Sequence, residues 1–355
     1  MDIVVLPGDG IGPEITEATL AVLRAADAGF GLGLSFETHE VGLATLKTHG
    51  TTLPEEVFAR AMAAAGTILG PCASFEYPPR EQGGINLSAA FRARGDLYAN
   101  IRPARSRAGL PHWGRTPMDL VFARENTEGF YADRSMYQGS GEFMPTADMA
   151  LSVRKITERA CMRIARSAFE IARGRRKKVT AVHKANVMKV TDGLFLRSVR
   201  KVAEEYSDVA LDDVIVDAAA ALLVRDAARF DVIVTTNMFG DILSDLATEL
   251  SGSLGLGASI NAGDTTALAQ AQHGSAPDIA GQAIANPSSL ILSSAMLLDW
   301  LGTRRGERRL NDAAAAIERA VDAVLAVPEK RTRDLGGTAG TMAFAASVAE
   351  ALATA

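Results

Sequence analysis

The chain has little cysteine, no long apolar run free of charge, and no surplus of basic residues. Each shortage excludes something. Its two cysteines, Cys72 and Cys161, stand far apart and have no metal-site spacing, so a reducing, cytoplasmic setting is the expectation. No uncharged apolar stretch reaches the roughly 18 residues that a membrane helix needs, so no membrane span is expected. The first residues, MDIVVLPGDG, run directly into an apolar strand and a glycine turn, without the basic leader and apolar core of an export signal. A net charge of −5 sets up no global field toward nucleic acid or an anionic membrane, and neither is expected as a partner. Internal repeats and low-complexity tracts are missing. The basic runs at 173–178 and 303–309 read as solvated loops. The segment GDGIG at 8–12 follows a strand, but its third glycine comes one residue too early for the dinucleotide fingerprint. It reads either as a plain strand–helix turn or as a close backbone approach to a ligand.

What is present is an α/β pattern. With 355 residues, 48% hydrophobic and 22% charged, the chain has the balance of a soluble globular protein of about two domains or one large one. Apolar runs such as IVVL, GTIL, DLVF, KVTAV and DVIVTT alternate with helical stretches, which argues a largely parallel sheet. Residues 147–174 read as one long amphipathic helix begun near Thr146 or Asp148. The region SLGLGASINAGDTT reads as glycine-rich loop, and NMFG as a short turn before the helix DILSDLATEL.

That last helix carries Asp241 and Asp245, four residues apart and so on one face near its start. Two carboxylates so placed either favour the helix dipole or hold a hard cation. Oxygen-only ligands suit Mg²⁺ or Mn²⁺, with water and substrate in the remaining positions. Asp217, at the end of DVIVD, is a third ligand or a helix cap. Arg92, Arg102 and Arg124 lie near element ends. Guanidinium forks pair bidentately with carboxylates, so three together would suit a di- or tricarboxylic hydroxy acid, although each alone is equally a structural arginine. Lys184 closes the apolar strand KVTAVHK, where it is either a surface lysine or, partly desolvated, a base. Tyr131, after ENTEGF, is a proton donor or a packed ring with a bonded hydroxyl.

Taken together, these segments resemble the β-decarboxylating dehydrogenases, the isocitrate and isopropylmalate dehydrogenase family. The resemblance runs almost end to end, through LPGDGIGPEI at 6–15, DLYANIRP at 96–103, RENTEG at 124–129, HKANVM at 183–188, NMFGDILSD at 237–245, HGSAPDIAG at 273–281 and ANP at 285–287. RENTEG and the segment around HKANVM are nearer the NAD-dependent isocitrate and homoisocitrate branch. The resemblance implies a doubly wound α/β sheet, with a large cofactor-binding domain from 1–98 and 252–355. A smaller central domain, 99–251, would build a homodimer with shared active sites. It implies Arg92, Arg102 and Arg124 as carboxylate binders, Tyr131 as proton donor and Lys184 as base. Asp217, Asp241 and Asp245 become metal ligands for Mg²⁺ or Mn²⁺, and Lys184 and Asp217 would serve the neighbouring subunit. NAD would lie along 273–286, touching His273, Gly274, Ala276, Asp278, Ile279 and Asn286, with Ile11 and Asn186 nearby. Asn86, Ser88 and Ala89 stand where family members choose their acid. Their polar, open character favours isocitrate or a related polar 3-substituted malate, ahead of homoisocitrate and isopropylmalate. Two departures stand out. Gln270, Ala271 and Gln272 replace the usual Glu-Pro-Val and should alter the cofactor loop, and Gly95 should loosen the end of the substrate helix. A catalytically silent regulatory subunit and a non-enzymatic acid-binding protein are the competing readings. The matched residues, each retaining its chemical type, weigh against the first.

Overall fold

The fold comes from a computed structural model that describes residues 1–131 and 135–353. In chain order its elements are β1 (Asp2–Leu6), α1 (Gly12–Phe30), β2 (Ser35–Thr38), α2 (Leu43–His49), α3 (Glu55–Ala63), β3 (Gly66–Leu69), α4 (Leu87–Arg94), β4 (Ala99–Arg105), β5 (Asp119–Glu125), β6 (Glu142–Thr146), β7 (Met149–Ser152), α5 (Glu158–Arg173), β8 (Lys178–His183), α6 (Thr191–Ala203), β9 (Ala210–Ile215), α7 (Val216–Arg225), β10 (Val232–Thr235), α8 (Asn237–Ser251), β11 (Ala258–Ala262), β12 (Ala267–Ala271), α9 (Ser288–Arg305), α10 (Arg308–Leu325) and α11 (Thr341–Ala353).

Ten strands form one sheet in the order β2-β1-β3-β12-β11-β4-β5-β10-β8-β9. The two flanks, β2-β1-β3-β12 and β5-β10-β8-β9, are parallel throughout. The joints between β12, β11, β4 and β5 are antiparallel. Helices cover both faces, which explains why the parallel strands read as continuous apolar runs. In β1, Ile3 and Val5 pack with α1, α9, α10 and α11, whereas Val4 and Leu6 pack on the opposite side with α3 and α4. In β10, Val232 and Val234 meet α5 and α6, and Ile233 turns to α7 and α8. Each such side chain buried stabilises the fold by roughly 1.5–3 kcal/mol. No helix among the described residues is long and apolar enough to cross a membrane.

Several local expectations are corrected. Helix α5 starts at Glu158, where the Thr157 hydroxyl accepts the Ala160 N–H at 3.3 Å, and not near Thr146 or Asp148. Residues 142–152 instead form an antiparallel ribbon, β6–β7, separate from the main sheet and exposed throughout. Its alanine, methionine and leucine favour a helix locally, but Thr146 Oγ1 donates to Asp148 Oδ1 at 2.6 Å and ties the turn between the strands. SLGLGASINAGDTT is not all loop, because its core is β11, buried at every residue. NMFG is the first turn of α8, not a turn before it. Asp217 sits one residue inside α7 and not at the end of a strand. Gly95 is tightly packed, since a Cβ there would meet the Phe91 carbonyl oxygen at 2.5 Å and Met62 Cε at 2.9 Å.

Candidate active site

Helix α4, strands β4 and β5, the start of α8 and the end of β12 converge on a cleft of about 400 Å³. Its lining includes Asn86, Ser88, Arg92, Arg102, Arg124, Tyr131 and Asp241. Residues far apart in sequence thus meet because the antiparallel joints bring β4, β5 and β12 into one sheet.

Arg124 is the deepest cation, 1% exposed. Its Nε and Nη2 donate to Asn237 Oδ1 at 3.0 and 2.7 Å, and its Nη1 pairs with Asp241. Gly240 makes this path possible, since a Cβ there would stand 2.6 Å from Arg124 Cγ. The glycine in NMFG therefore lets a buried guanidinium pass the first turn of α8. Arg102 Nη1 lies 3.2 Å from Asp241 Oδ1 and 3.0 Å from Asp245 Oδ1, and its Nε donates to Asn100 Oδ1 at 2.6 Å. Burial and the neighbouring Arg124 push the Arg102 pKa down to about 10, against the pull of the two aspartates. Burial alone would raise the Asp241 pKa, but Arg124, Arg102 and Arg92 together hold it below the usual carboxylate range. Tyr131 Oη donates to the other Asp241 oxygen at 3.2 Å. Asp245 Oδ1 also accepts Gln272 Nε2 at 2.6 Å, so one of the three unexpected residues bears directly on a candidate metal ligand.

Asp241 and Asp245 are therefore adjacent, as the four-residue spacing required. Asp217 does not join them, and the described residues contain no cluster of three His, Cys, Asp or Glu placed to hold a metal. Asp217 is ion-paired with Lys184, whose ammonium holds its carboxyl below the usual range. This pair lines neither cleft. The donors at Asp241 and Asp245, oxygen only and one helical turn apart, fit a hard divalent cation that keeps positions for substrate and water.

A second cleft, about 290 Å³, adjoins the first. Ile11, His273, Gly274, Ala276, Ile279 and Asn286 line it, with Arg333 and Asp334. His273 and Gly274 line both clefts and join them. His273 Nε2 is buried without a hydrogen-bond partner among the described residues, and burial holds the ring pKa below its ordinary value. A buried polar atom facing a mostly apolar groove fits a ligand that supplies the missing partner, as a nucleotide would. Asn186 and Asp278 are exposed and line neither cleft. Asn286 is committed to the protein, since its Nδ2 donates to Asp334 Oδ2 and its Oδ1 accepts the Ser288 N–H, both at 2.9 Å. Gly10 has φ +59°, and a Cβ there would stand 2.0 Å from the Ser275 carbonyl oxygen, so this turn is shaped by backbone packing against the 273–281 segment.

Sequence reasoning missed the asparagines. Asn261 Oδ1 accepts from Arg92 Nε at 3.0 Å, Asn100 Nδ2 at 3.0 Å and Asn126 Nδ2 at 2.9 Å. The available signal was an asparagine within otherwise buried strands, YANIRP and ASINA, since a buried amide must be hydrogen-bonded. The acids of RENTEG are structural. Glu125 takes the Thr127 and Glu128 N–H groups, and Glu128 takes the Thr157 N–H and hydroxyl that begin α5.

Comparison with known proteins agrees with this geometry. The profile of the isocitrate/isopropylmalate dehydrogenase family matches residues 2–352. An isocitrate/homoisocitrate dehydrogenase of Thermus thermophilus is 46% identical over 353 residues, covering 99% of this chain and 98% of the relative. A 3-isopropylmalate dehydrogenase of Archaeoglobus fulgidus is 41% identical, covering 99% of each. The crystal structure of isocitrate dehydrogenase from Methylococcus capsulatus superposes with a TM-score of 0.87 at 41% identity, covering 99% of each chain. The chain belongs to the isocitrate/isopropylmalate dehydrogenase family and is an oxidoreductase of the β-decarboxylating dehydrogenase type.

Proposed function

We propose that the protein oxidises and decarboxylates an isocitrate-like 3-substituted malate, using NAD⁺ and Mg²⁺ or Mn²⁺. The observation that carries this reading is the convergence of Arg92, Arg102 and Arg124 with Tyr131 and Asp241 on one cleft. Three guanidiniums around so small a volume suit an acid with several carboxylates. The polar edge formed by Asn86 and Ser88 favours a third carboxylate over an isopropyl group, which would forgo roughly 0.8 kcal/mol per unburied CH₂ there.

Asp241 and Asp245 would hold the cation, with Asp217 of a second copy, and the groove along 273–286 would hold the dinucleotide. The cation supplies Lewis-acid polarisation of the substrate's oxygen, and the nicotinamide accepts hydride. The residues of the chain do the rest. The arginines fix the carboxylates so that the bond from C3 to the departing CO₂ lies beside the new ketone. Lys184, entering from the second copy, takes the proton of the 2-hydroxyl. Tyr131 protonates C3 of the enolate left by CO₂ loss. Supporting a shared site, the Lys184–Asp217 pair lies outside both clefts of its own chain, and the ribbon exposes Phe143 (49%), Met144 (63%) and Leu151 (45%), as a surface buried by a second copy would. In this reading 99–251 is the smaller dimerising unit, and 1–98 with 252–355 the cofactor unit. Asp278, exposed and next in the chain to the groove-lining Ile279, would accept from ribose hydroxyls and repel the extra phosphate of NADP. Arg333, on the same groove, is where a contrary preference would originate.

The test is to assay the purified chain with isocitrate and Mn²⁺, comparing NAD⁺ with NADP⁺. Higher efficiency with NAD⁺ is expected, and equal or higher efficiency with NADP⁺ would overturn the cofactor assignment. Absence of turnover with every 3-substituted malate would favour a regulatory subunit.

A further inference from the structure

Arg154 follows β7, lines neither cleft and has no part in the scheme above, yet its side chain is only 8% exposed. The guanidinium lies over the rings of Phe130 and Phe239, 5.7 and 5.3 Å from their centroids. Its Nη2 donates to Thr236 Oγ1 at 3.0 Å, just ahead of α8. Its Nη1 donates to Thr191 Oγ1 at 3.0 Å and pairs with Asp192, in the first turn of α6. Asp192 is completely buried, and Arg154 is its ion-pair partner among the described residues.

The second oxygen of Asp192 has a different task. Its Oδ2 accepts the backbone N–H of Lys184 at 2.5 Å. The Lys184 carbonyl accepts the N–H groups of Val187 and Met188, at 3.0 and 2.8 Å. Both backbone polar groups of Lys184 are thus fixed just past the end of β8. A neutral acceptor would satisfy that N–H, and burying a full charge is costly unless a cation matches it. What the carboxylate adds is a second acceptor, so that one side chain takes a guanidinium at one oxygen and a peptide N–H at the other. The Lys184 backbone is thereby tied to a guanidinium held against two rings. Of those rings, Phe130 precedes Tyr131, and Phe239 stands in the first turn of α8, ahead of Asp241.

We propose that Asp192 and Arg154 are a positioning pair for Lys184: they fix the backbone from which its ammonium reaches the reacting hydroxyl. This rests on the reading of Lys184 as the base that one copy lends to another. The lysine arm is long and flexible, so its tip is placed only as well as its backbone, and a shift of about 1 Å in a reacting group costs about a hundredfold in rate. The acid-binding arginines stand on α4, β4 and β5, elements other than α6, so loss of the pair acts on turnover and spares acid binding.

The experiment measures kcat and KM separately in the wild type, Asp192→Asn and Arg154→Lys, with Mn²⁺, NAD⁺ and the better substrate of isocitrate and 3-isopropylmalate. Asparagine keeps the shape but has a single acceptor oxygen. The guanidinium takes that oxygen, and the new NH₂ faces the Lys184 N–H, donor against donor. The expected result for Asp192→Asn is a fall of at least about tenfold in kcat with KM for the acid within about threefold of wild type. Arg154→Lys, which keeps the charge and gives up the fork, should show a smaller fall of the same kind. Mixed dimers separate positioning from general damage. Asp192→Asn exchanged with Tyr131→Phe leaves one site with an intact cleft and an intact Lys184, and should recover activity as Tyr131→Phe with Lys184→Met does. Asp192→Asn exchanged with Lys184→Met leaves only the disturbed Lys184 opposite an intact cleft, and should stay at least about tenfold lower. A kcat for Asp192→Asn within about twofold of wild type, while Lys184→Met is inactive, would overturn the proposal and leave the base reading standing. Equal activity in the two mixtures, despite recovery in the control, would overturn it as well. Turnover retained by Lys184→Met would refute the base reading, and the proposal with it. Should the control fail to recover while Asp192→Asn loses kcat at unchanged KM, the sites are self-contained and the positioning role stands. If Asp192→Asn fails to fold by circular dichroism, Arg154→Lys decides by the same measurements.

Discussion

In the proposed function Asp241 does two things at once. It must stay ionised while partly buried, and it must exchange arginine partners for a cation. Arg124, Arg102 and Arg92 secure the first by holding its pKa low. Replacing it with asparagine keeps the shape and removes the charge. Asp241→Asn should therefore fold normally, judged by circular dichroism, yet lose turnover by orders of magnitude and bind Mn²⁺ weakly by spin resonance. Unchanged turnover, or full wild-type activity after exhaustive chelation, would contradict this role. Glu128 makes a different prediction. Burial raises its pKa from 4.5 to about 7. A carboxyl whose folded pKa exceeds its unfolded value binds protons more tightly when folded, so its contribution to stability falls as pH climbs through that window. Between about pH 5 and about pH 8 the wild type should lose more thermal stability than Glu128→Gln. Equal slopes would show that Glu128 is not the titrating group. At this scale the charged residues were legible in sequence because their chemistry is tied to residue type. The amides were not. Nothing local distinguishes Asn261 from a turn asparagine, and its three donors come from α4, β4 and the loop after β5.

Helix α8 presents Asp241 and Asp245, helix α4 presents Ser88 and Arg92, and each depends on a small local feature. In α8 it is Gly240. Gly240→Ala would press a methyl group to within 2.6 Å of Arg124 Cγ. Overpacking there should cost about 1–3 kcal/mol, read as a lower thermal midpoint. On the proposed role of Arg124 as a carboxylate binder, it should also raise KM for the acid. A normal KM would mean that Arg124 does not hold substrate. In α4 it is Asn86, whose Oδ1 accepts the Ala89 N–H at 2.9 Å and caps the helix, leaving its NH₂ for the cleft. Element boundaries were illegible where local propensity and tertiary pairing competed. The ribbon β6–β7 is the clearest case. The residues of β7 have helical propensity, both strands are exposed, and among the described residues no core contact selects the strand. Strand β11 was hidden by the glycines around it, and its pairing with β4 lies beyond any local window.

At the scale of the whole molecule, one ten-stranded sheet has two parallel flanks, and the cleft lies where the antiparallel joints connect them. That order could not be read from the sequence, because β4 and β12 are neighbours of β11 through contacts more than 150 residues apart in the case of β4. What could be read was the alternation of strands and helices and the end-to-end family resemblance. If Lys184 serves a neighbour's cleft, no monomer is active. Mixing inactive Tyr131→Phe with inactive Lys184→Met under subunit exchange should restore activity, since one site of each heterodimer regains both groups. No recovery despite proven exchange would show the sites to be self-contained.

The central claim is that three converging arginines and a polar C3 subsite select a tricarboxylic hydroxy acid for oxidative decarboxylation. The most direct measurement is kcat/KM for isocitrate, homoisocitrate and 3-isopropylmalate on the purified chain with NAD⁺ and Mn²⁺, following reduced nucleotide and CO₂ together. Isocitrate should be turned over most efficiently, with the two products formed in equal amounts. Efficiency on 3-isopropylmalate at least about tenfold above that on isocitrate would contradict the account.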